Sequence, residues 1–233
     1  INSGIRLIIE PGVIVKFGAG RSLIVNGILA AAGTASQHIL FTSIKDDAGG
    51  DANYDGASSW PSPGDWGRIA FGDSSVDSFT VLQFVEVRYG GGAGAAVYID
   101  SAGPMIADSL FAHNAGYGLQ LYNNAAPQVL RNMVLNNASG GARLDTNASG
   151  TFQDNLYWGN SGYAVYMDGS CYPSLTDNTA FYNDVNGVRV SGNVASNRTW
   201  YANLPYVIEG GLTVASGPAL TLQPGTIVKF KDT

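Results

Sequence analysis

A parallel β-solenoid is the fold this sequence predicts, and three observations predict it. One 23-residue unit is written four times without insertion or deletion, starting at Pro104, Pro127, Gly150 and Pro173. Within each unit apolar residues pair at i and i+2 (Leu119/Leu121, Val165/Met167, Val188/Val190), the period of a strand with one buried face. Asparagine recurs at Asn114, Asn137, Asn160 and Asn183, with Ser109, Asn132, Asn155 and Asn178 five residues earlier. So short a unit cannot bury its apolar face alone, so successive units stack. Each coil then rises about 4.8 Å, the spacing of paired strands. A buried amide without partners costs roughly 1–3 kcal/mol, so an inward asparagine column needs strict register, each amide donating to the next.

In chain order, residues 5–43 alternate cleanly: Leu7, Ile9, then Val13, Val15, Phe17, then Leu23, Val25, then Leu29, Ala31, then Ile39, Phe41. Pro11-Gly12, Gly18–Gly20 and Asn26-Gly27 supply the corners, and Lys16 points to solvent. Residues 44–65 break the pattern as a long acidic loop, of a length that is functional or disordered in compact folds. Trp66, Ile69 and Phe71 then re-enter the core. A shorter unit follows, with Phe84, Tyr89, Val97 and Ile99 each 22 residues before Ile106, Phe111, Leu119 and Leu121. It places Gly92 where the asparagine column begins. Gly118, Gly141 and Gly187, with Ala164 in the third unit, mark a turn or a close approach. After Asn193 the period fades. Residues 214–230 then match residues 1–17 at a constant offset of 213, including Pro224-Gly225 against Pro11-Gly12. One module spanning 1–233 is expected, beginning and ending on one coil type and excised from a longer repeating chain.

Composition narrows the function classes. Charged residues are only 13% of the chain, so its surface rests on Asn, Ser, Thr, Gly and Tyr. A net charge of −6 disfavours nucleic acid and anionic membrane. No apolar run approaches 18 residues, so no membrane insertion is expected. Cys171 is the sole cysteine, leaving neither disulfide framework nor cysteine metal site. An extracellular or cell-surface location follows as an expectation.

The phrases LIIEPGVIVKFGAGRSLIVNGILAAAGT and GDWGRIAFGD, followed by Asn-rich PxIxxxxFxxN units, resemble right-handed parallel β-helix repeat proteins of the pectate-lyase-like superfamily. More narrowly they are similar to tandem modules of large bacterial and archaeal cell-surface proteins. The resemblance implies an all-β, single-stranded right-handed helix of roughly nine or ten coils, in line with the hand of parallel crossovers. It does not fix activity, because that superfamily holds lyases, hydrolases, tailspikes and non-enzymatic adhesins.

Lyases on this scaffold combine Asp-held calcium with a basic residue, and hydrolases use clustered carboxylates. Three outward groups bear on these chemistries. The column Glu86, Asp108, Arg131, Asp154, Asp177 would hold calcium or split carboxyl pKa values, or be a solvated turn neutralised by Arg131. Asp145 and Asp168, beside Arg143 and Arg189, form the catalytic alternative. The column Tyr98, Gln120, Arg143, Tyr166, Arg189 offers ligand-binding residues Tyr98, Tyr166, Arg143 and Arg189 for a glycan, or an ordinary polar β-face. Asp46, Asp47, Asp51 and Asp55 in the acidic loop are calcium candidates, but they lack the spacing of a strong calcium motif. No metal or cofactor is otherwise called for. His38 and His113 are isolated, and the Asn-x-Ser/Thr triplets at Asn137, Asn147 and Asn197 are expected by chance.

The expected function is a non-catalytic structural and adhesive module, weakly glycan-binding. Its partners would be carbohydrate, neighbouring modules of the same chain, or copies stacked head to tail through exposed strand edges. The alternative is a polysaccharide lyase or glycoside hydrolase acting through Asp145, Asp168, Arg143 and Arg189.

Overall fold

The computed structural model describes residues 1–231; the domain reading to residue 233 includes two residues outside that range. The described chain winds as a parallel β-helix with three long sheets and, near its C-terminal end, a two-stranded sheet of Arg198–Trp200 and Leu220–Leu222. The first contains Arg6–Ile9, Ile28–Ala32, Val81–Gln83, Met105–Ala107, Gln128–Leu130, Thr151–Gln153 and Ser174–Thr176. The second contains Ile14–Phe17, Ile39–Ser43, Val85–Arg88, Leu110–Ala112, Met133–Leu135, Leu156–Trp158 and Thr179–Phe181. The third has nine strands, from Leu23–Val25 through Tyr117–Tyr122, Gly140–Leu144 and Tyr163–Asp168 to Val185–Val194, Tyr206–Val214 and Val228–Phe230. Among the described residues no α-helix occurs, only a 3-10 turn at Asp77–Phe79.

The i, i+2 apolar pattern becomes vertical columns of core side chains. Ile106, Val129, Phe152 and Leu175 stack on the first sheet, and Phe111, Val134, Tyr157 and Ala180 on the second. Leu121, Leu144, Met167 and Val190 stack on the third. Trp66, Ile69 and Phe71 return to the core, all buried. Leu7 and Val13 are partly exposed, because no coil lies beyond the first one in the described chain.

Two asparagine ladders run through the corners. Between the second and third sheets the Nδ2 of Asn114, Asn137 and Asn160 each donates to the next Oδ1 at 2.9 Å, and Asn183 ends on Asn186. Between the first and second sheets the chain Asn132, Asn155, Asn178, Asn203 repeats the pattern at 2.9–3.0 Å. Ser109 starts this second ladder, its N–H donating to Asn132 Oδ1. Asn137 shows the logic: its amide donates to Phe111 O and Asn160 Oδ1, and its oxygen accepts from the N–H and Nδ2 of Asn114. All four of its hydrogen-bonding positions are filled while it is fully buried.

Each ladder residue from Ser109 to Asn183 follows a corner residue held at positive φ. Asp108, Arg131, Asp154 and Asp177 lie at 53 to 56° before Ser109, Asn132, Asn155 and Asn178; His113, Asn136, Gly159 and Tyr182 lie at 50 to 64° before the other ladder. Left-handed backbone strains non-glycine residues by about 1 kcal/mol or more, and the ladder bonds hold it there. Gly118, Gly141 and Gly187 act by close approach rather than positive φ. A Cβ on Gly141 would lie 2.3 Å from Ala164 O and 2.5 Å from the Tyr157 ring.

Three sequence expectations are corrected. Ile106 pairs with Leu82 and Phe111 with Val87, so Phe84 and Tyr89 are corners outside the core columns. The turn from Val87 to Val97 is two residues longer than its successor, an insertion that a 22-residue offset hides. Gly90, not Gly92, therefore begins the first ladder, its N–H donating to Asn114 Oδ1. Finally, residues 1–17 and 214–230 are not one coil type. Ile14–Phe17 joins the second sheet, whereas Val228–Phe230 joins the third, because the chain after Asn193 skips the second sheet.

Candidate functional site

The outward column of the third sheet assembles as its register requires: Tyr98, Gln120, Arg143, Tyr166 and Arg189 are direct neighbours on successive strands. They engage one another and the charged and aromatic side chains beside them. The guanidiniums of Arg143 and Arg189 lie 4.9 and 4.8 Å from the Tyr166 ring centre, so the ring sits between two cations. Arg68 covers the Tyr98 ring at 4.1 Å. Arg143 forks onto Asp145 at 2.7 and 3.2 Å, and burial does not prevent that pairing from raising the Arg143 pKa. Arg189 meets Glu209 at 2.7 Å. Glu209 also accepts from Tyr163 and Lys231, and these hydrogen bonds, with the Tyr163 hydroxyl foremost, hold its carboxyl down to about 2.

Asp168 turns into its own corner. Its oxygens accept from the N–H of Thr146 at 2.7 Å, the N–H of Ser170 at 2.7 Å and the Ser170 hydroxyl. Burial pushes its pKa up, and these bonds outweigh burial and hold it below the usual carboxylate range. Asp145 is thus bound by a guanidinium, and Asp168 is an acceptor held below the usual carboxylate range by a turn. A general acid at neutral pH needs the opposite environment.

The model of the right handed beta helix region family matches residues 72–224, more than half of the chain. The chain belongs to that family. No curated protein and no solved structure matches it.

Elsewhere on this β-helix the acidic candidates separate. Asp46 is buried, bonded to the Thr42 hydroxyl at 2.6 Å, the N–H of Ala48 at 3.0 Å and the Arg88 guanidinium at 3.0 Å. Asp51 accepts the N–H groups of Asn53 and Gly56, and Asp55 holds the side chains of Asn53 and Ser59. Asp47 accepts the N–H of Gly50 through its backbone carbonyl. Among the described residues no three His, Cys, Asp or Glu side chains converge in a way that would hold a metal ion. Glu86 leaves its expected column: it lies on the second sheet, opposite Leu40 and Leu110, and faces His38 at 3.3 Å and Arg88 at 3.5 Å. In the remaining corner column Arg131 forks onto Asp108 at 2.7 and 2.9 Å. Cys171 is buried, and that burial pushes its thiol up to about 12.

The sequence reading missed the outer face of the second sheet. Met133, Trp158, Phe181 and Tyr182 are exposed there, with Leu135 half-buried beside them. Leu135, Trp158 and Phe181 are register neighbours, and Trp158 packs 4.5 Å from Tyr182. The available signal was the run of apolar triplets, LFA, MVL and LYW, where a half-buried strand should alternate. On the acidic loop Tyr54 and Trp60 are also strongly exposed. Among the described residues no helix is long and apolar enough to cross a membrane.

Proposed function

We propose that this β-helix is a structural and adhesive module working outside the cell, a stiff rod with contact surfaces and no catalysis of its own. The observation that carries the reading is the engagement of the third-sheet column along the helix axis. Tyr166 between Arg143 and Arg189, and Arg189 on Glu209, bind successive coils to one another and so add to the ladders within. A sugar stacking on Tyr166 has to displace a guanidinium, so carbohydrate contact at that column is weak. The aromatic stripe of Trp158, Phe181 and Tyr182 supplies the adhesive face, since exposed apolar patches on folded domains mark contact sites. Acidic and neutral polysaccharides incubated with the protein should release neither unsaturated nor reducing ends. Turnover that disappears in Asp145→Ala or Asp168→Ala would replace this reading with a lyase or hydrolase.

A further inference from the structure

The first sheet carries a concave site on its outer face. After Phe71 the chain runs out through Gly72–Val76, makes the 3-10 turn Asp77–Phe79, and returns as strand Val81–Gln83. The turn stands beside the outward column of Val81, Met105 and Gln128, direct neighbours on three strands. Turn and sheet together form an open groove of about 530 Å³, within the size range of small-ligand sites. It lies on the side of the rod, away from both open ends.

The chemistry of its lining is specific. Phe79 is 61% exposed, an aromatic ring at the wall rather than in the core. Met105 adds a thioether at the floor. Asp77 presents a carboxylate whose one side-chain contact is a long 3.5 Å approach from the Ser75 hydroxyl. Gln83 uses its Nε2 on Asp108 at 3.0 Å, which fixes the amide and leaves its oxygen as an acceptor. Gln128 is exposed on the floor of the groove. Gly103 keeps the mouth open: a Cβ there would come within 3.2 Å of an Asp77 carboxylate oxygen. Among the described residues no lysine, arginine or histidine lines the groove.

We infer that this pocket, defined by Asp77, Phe79, Gln83, Met105 and Gln128, binds a neutral, hydroxyl-rich saccharide unit. The Phe79 ring and Met105 sulfur offer an apolar surface to the C–H face of a pyranose. The carboxylate and the two amides offer acceptors and donors to its hydroxyls. An anionic sugar is excluded by the same lining, since the site holds one carboxylate and nothing to neutralise a second. This deepens the adhesive reading by giving it a ligand class and a location. It does not depend on the third-sheet column.

The test titrates the full chain with neutral hexose oligomers (cellohexaose, mannohexaose, laminarihexaose), with hexagalacturonate and with tetramethylammonium, following amide shifts by NMR. Binding of a neutral oligomer is expected, with shifts centred on Asp77–Gln83, Met105 and Gln128. Phe79→Ala and Asp77→Asn should each weaken it at least tenfold, while Tyr54→Ala, on the exposed acidic loop, leaves it unchanged. Phe79 and Asp77 are exposed, and unchanged shifts in the strands around Leu121 and Leu144 report that the fold survives. Binding by no neutral oligomer overturns the inference, as does binding untouched by both pocket variants. Preferential binding of hexagalacturonate or tetramethylammonium overturns it too. Failure here would leave the polysaccharide turnover assay, and the rod reading it tests, unaffected.

Discussion

The coils from Pro104 to Asn193 and the coils after Asn193 are built from one pattern with and without its internal ladders. In the first region successive strands pair 23 residues apart on all three sheets. In the second, Val188 pairs with Tyr206, 18 residues on, and among the described residues the second sheet has no strand beyond Thr179–Phe181. The change falls where the ladders stop, at Asn186 and Asn203. A coil keeps its third side while a buried amide at each corner bonds the coil before and the coil after. Where those amides run out, the chain cuts the corner, and Trp200 stacks directly on Tyr206 at 4.4 Å.

Four changes would break or sharpen this contrast. Asn137→Ala strips partners from Asn114 and from the Phe111 carbonyl, all buried, and should lower stability by about 4 kcal/mol in urea unfolding. The matched change Asn203→Ala, at the half-buried end of the other ladder, should lower it by about 1 kcal/mol. Equal losses would mean that ladder position is irrelevant. Gly141→Ala drives a methyl into Ala164 O and the Tyr157 ring, an overpacking of about 3 kcal/mol. Gly211→Ala has open space around it and only its φ of +90° to strain, about 1 kcal/mol.

Tyr157→Phe works in the opposite sense. The hydroxyl is fully buried without a partner, and burial alone raises its pKa. Removing it should raise the urea midpoint, a gain of up to about 1 kcal/mol. The smallest effect belongs to the second region and to pH. Its hydrogen bonds hold the Glu209 carboxyl down to about 2 in the folded chain against an ordinary glutamate value of 4.5, so those stabilising bonds are complete above pH 4.5. They are lost as pH falls from 4.5 to 2. Circular dichroism over that window should show Glu209→Gln with a flatter acid dependence than the parent, and the exposure of the group keeps the difference small.

Much of this fold was legible because the period is strict where the ladders are. Asn114, Asn137, Asn160 and Asn183 line up as the spacing requires, and so do the outward neighbours Gln120, Arg143 and Tyr166. Legibility ended where length compensates length. The two extra residues between Val87 and Val97 shift Phe84, Tyr89 and Glu86 to new positions while leaving Val97 and Ile99 in place. The candidate site was legible as a column and opaque as chemistry. Spacing puts Arg143 beside Tyr166, but the closure of Arg189 on Glu209 and of Asp46 on Arg88 joins residues 20 and 42 apart with no shared period. The pocket at Asp77–Phe79 depends on a turn that no repeat encodes.

Native-state hydrogen exchange tests the ladder account most directly. The backbone N–H groups of Asn114, Asn132, Asn137, Asn155 and Asn160 all donate to an asparagine oxygen one coil away. They should exchange only through global unfolding, while the strand N–H groups beyond Asn203 open at lower free energy. Exchange of the ladder amides as fast as those of residues 206–230 would contradict it.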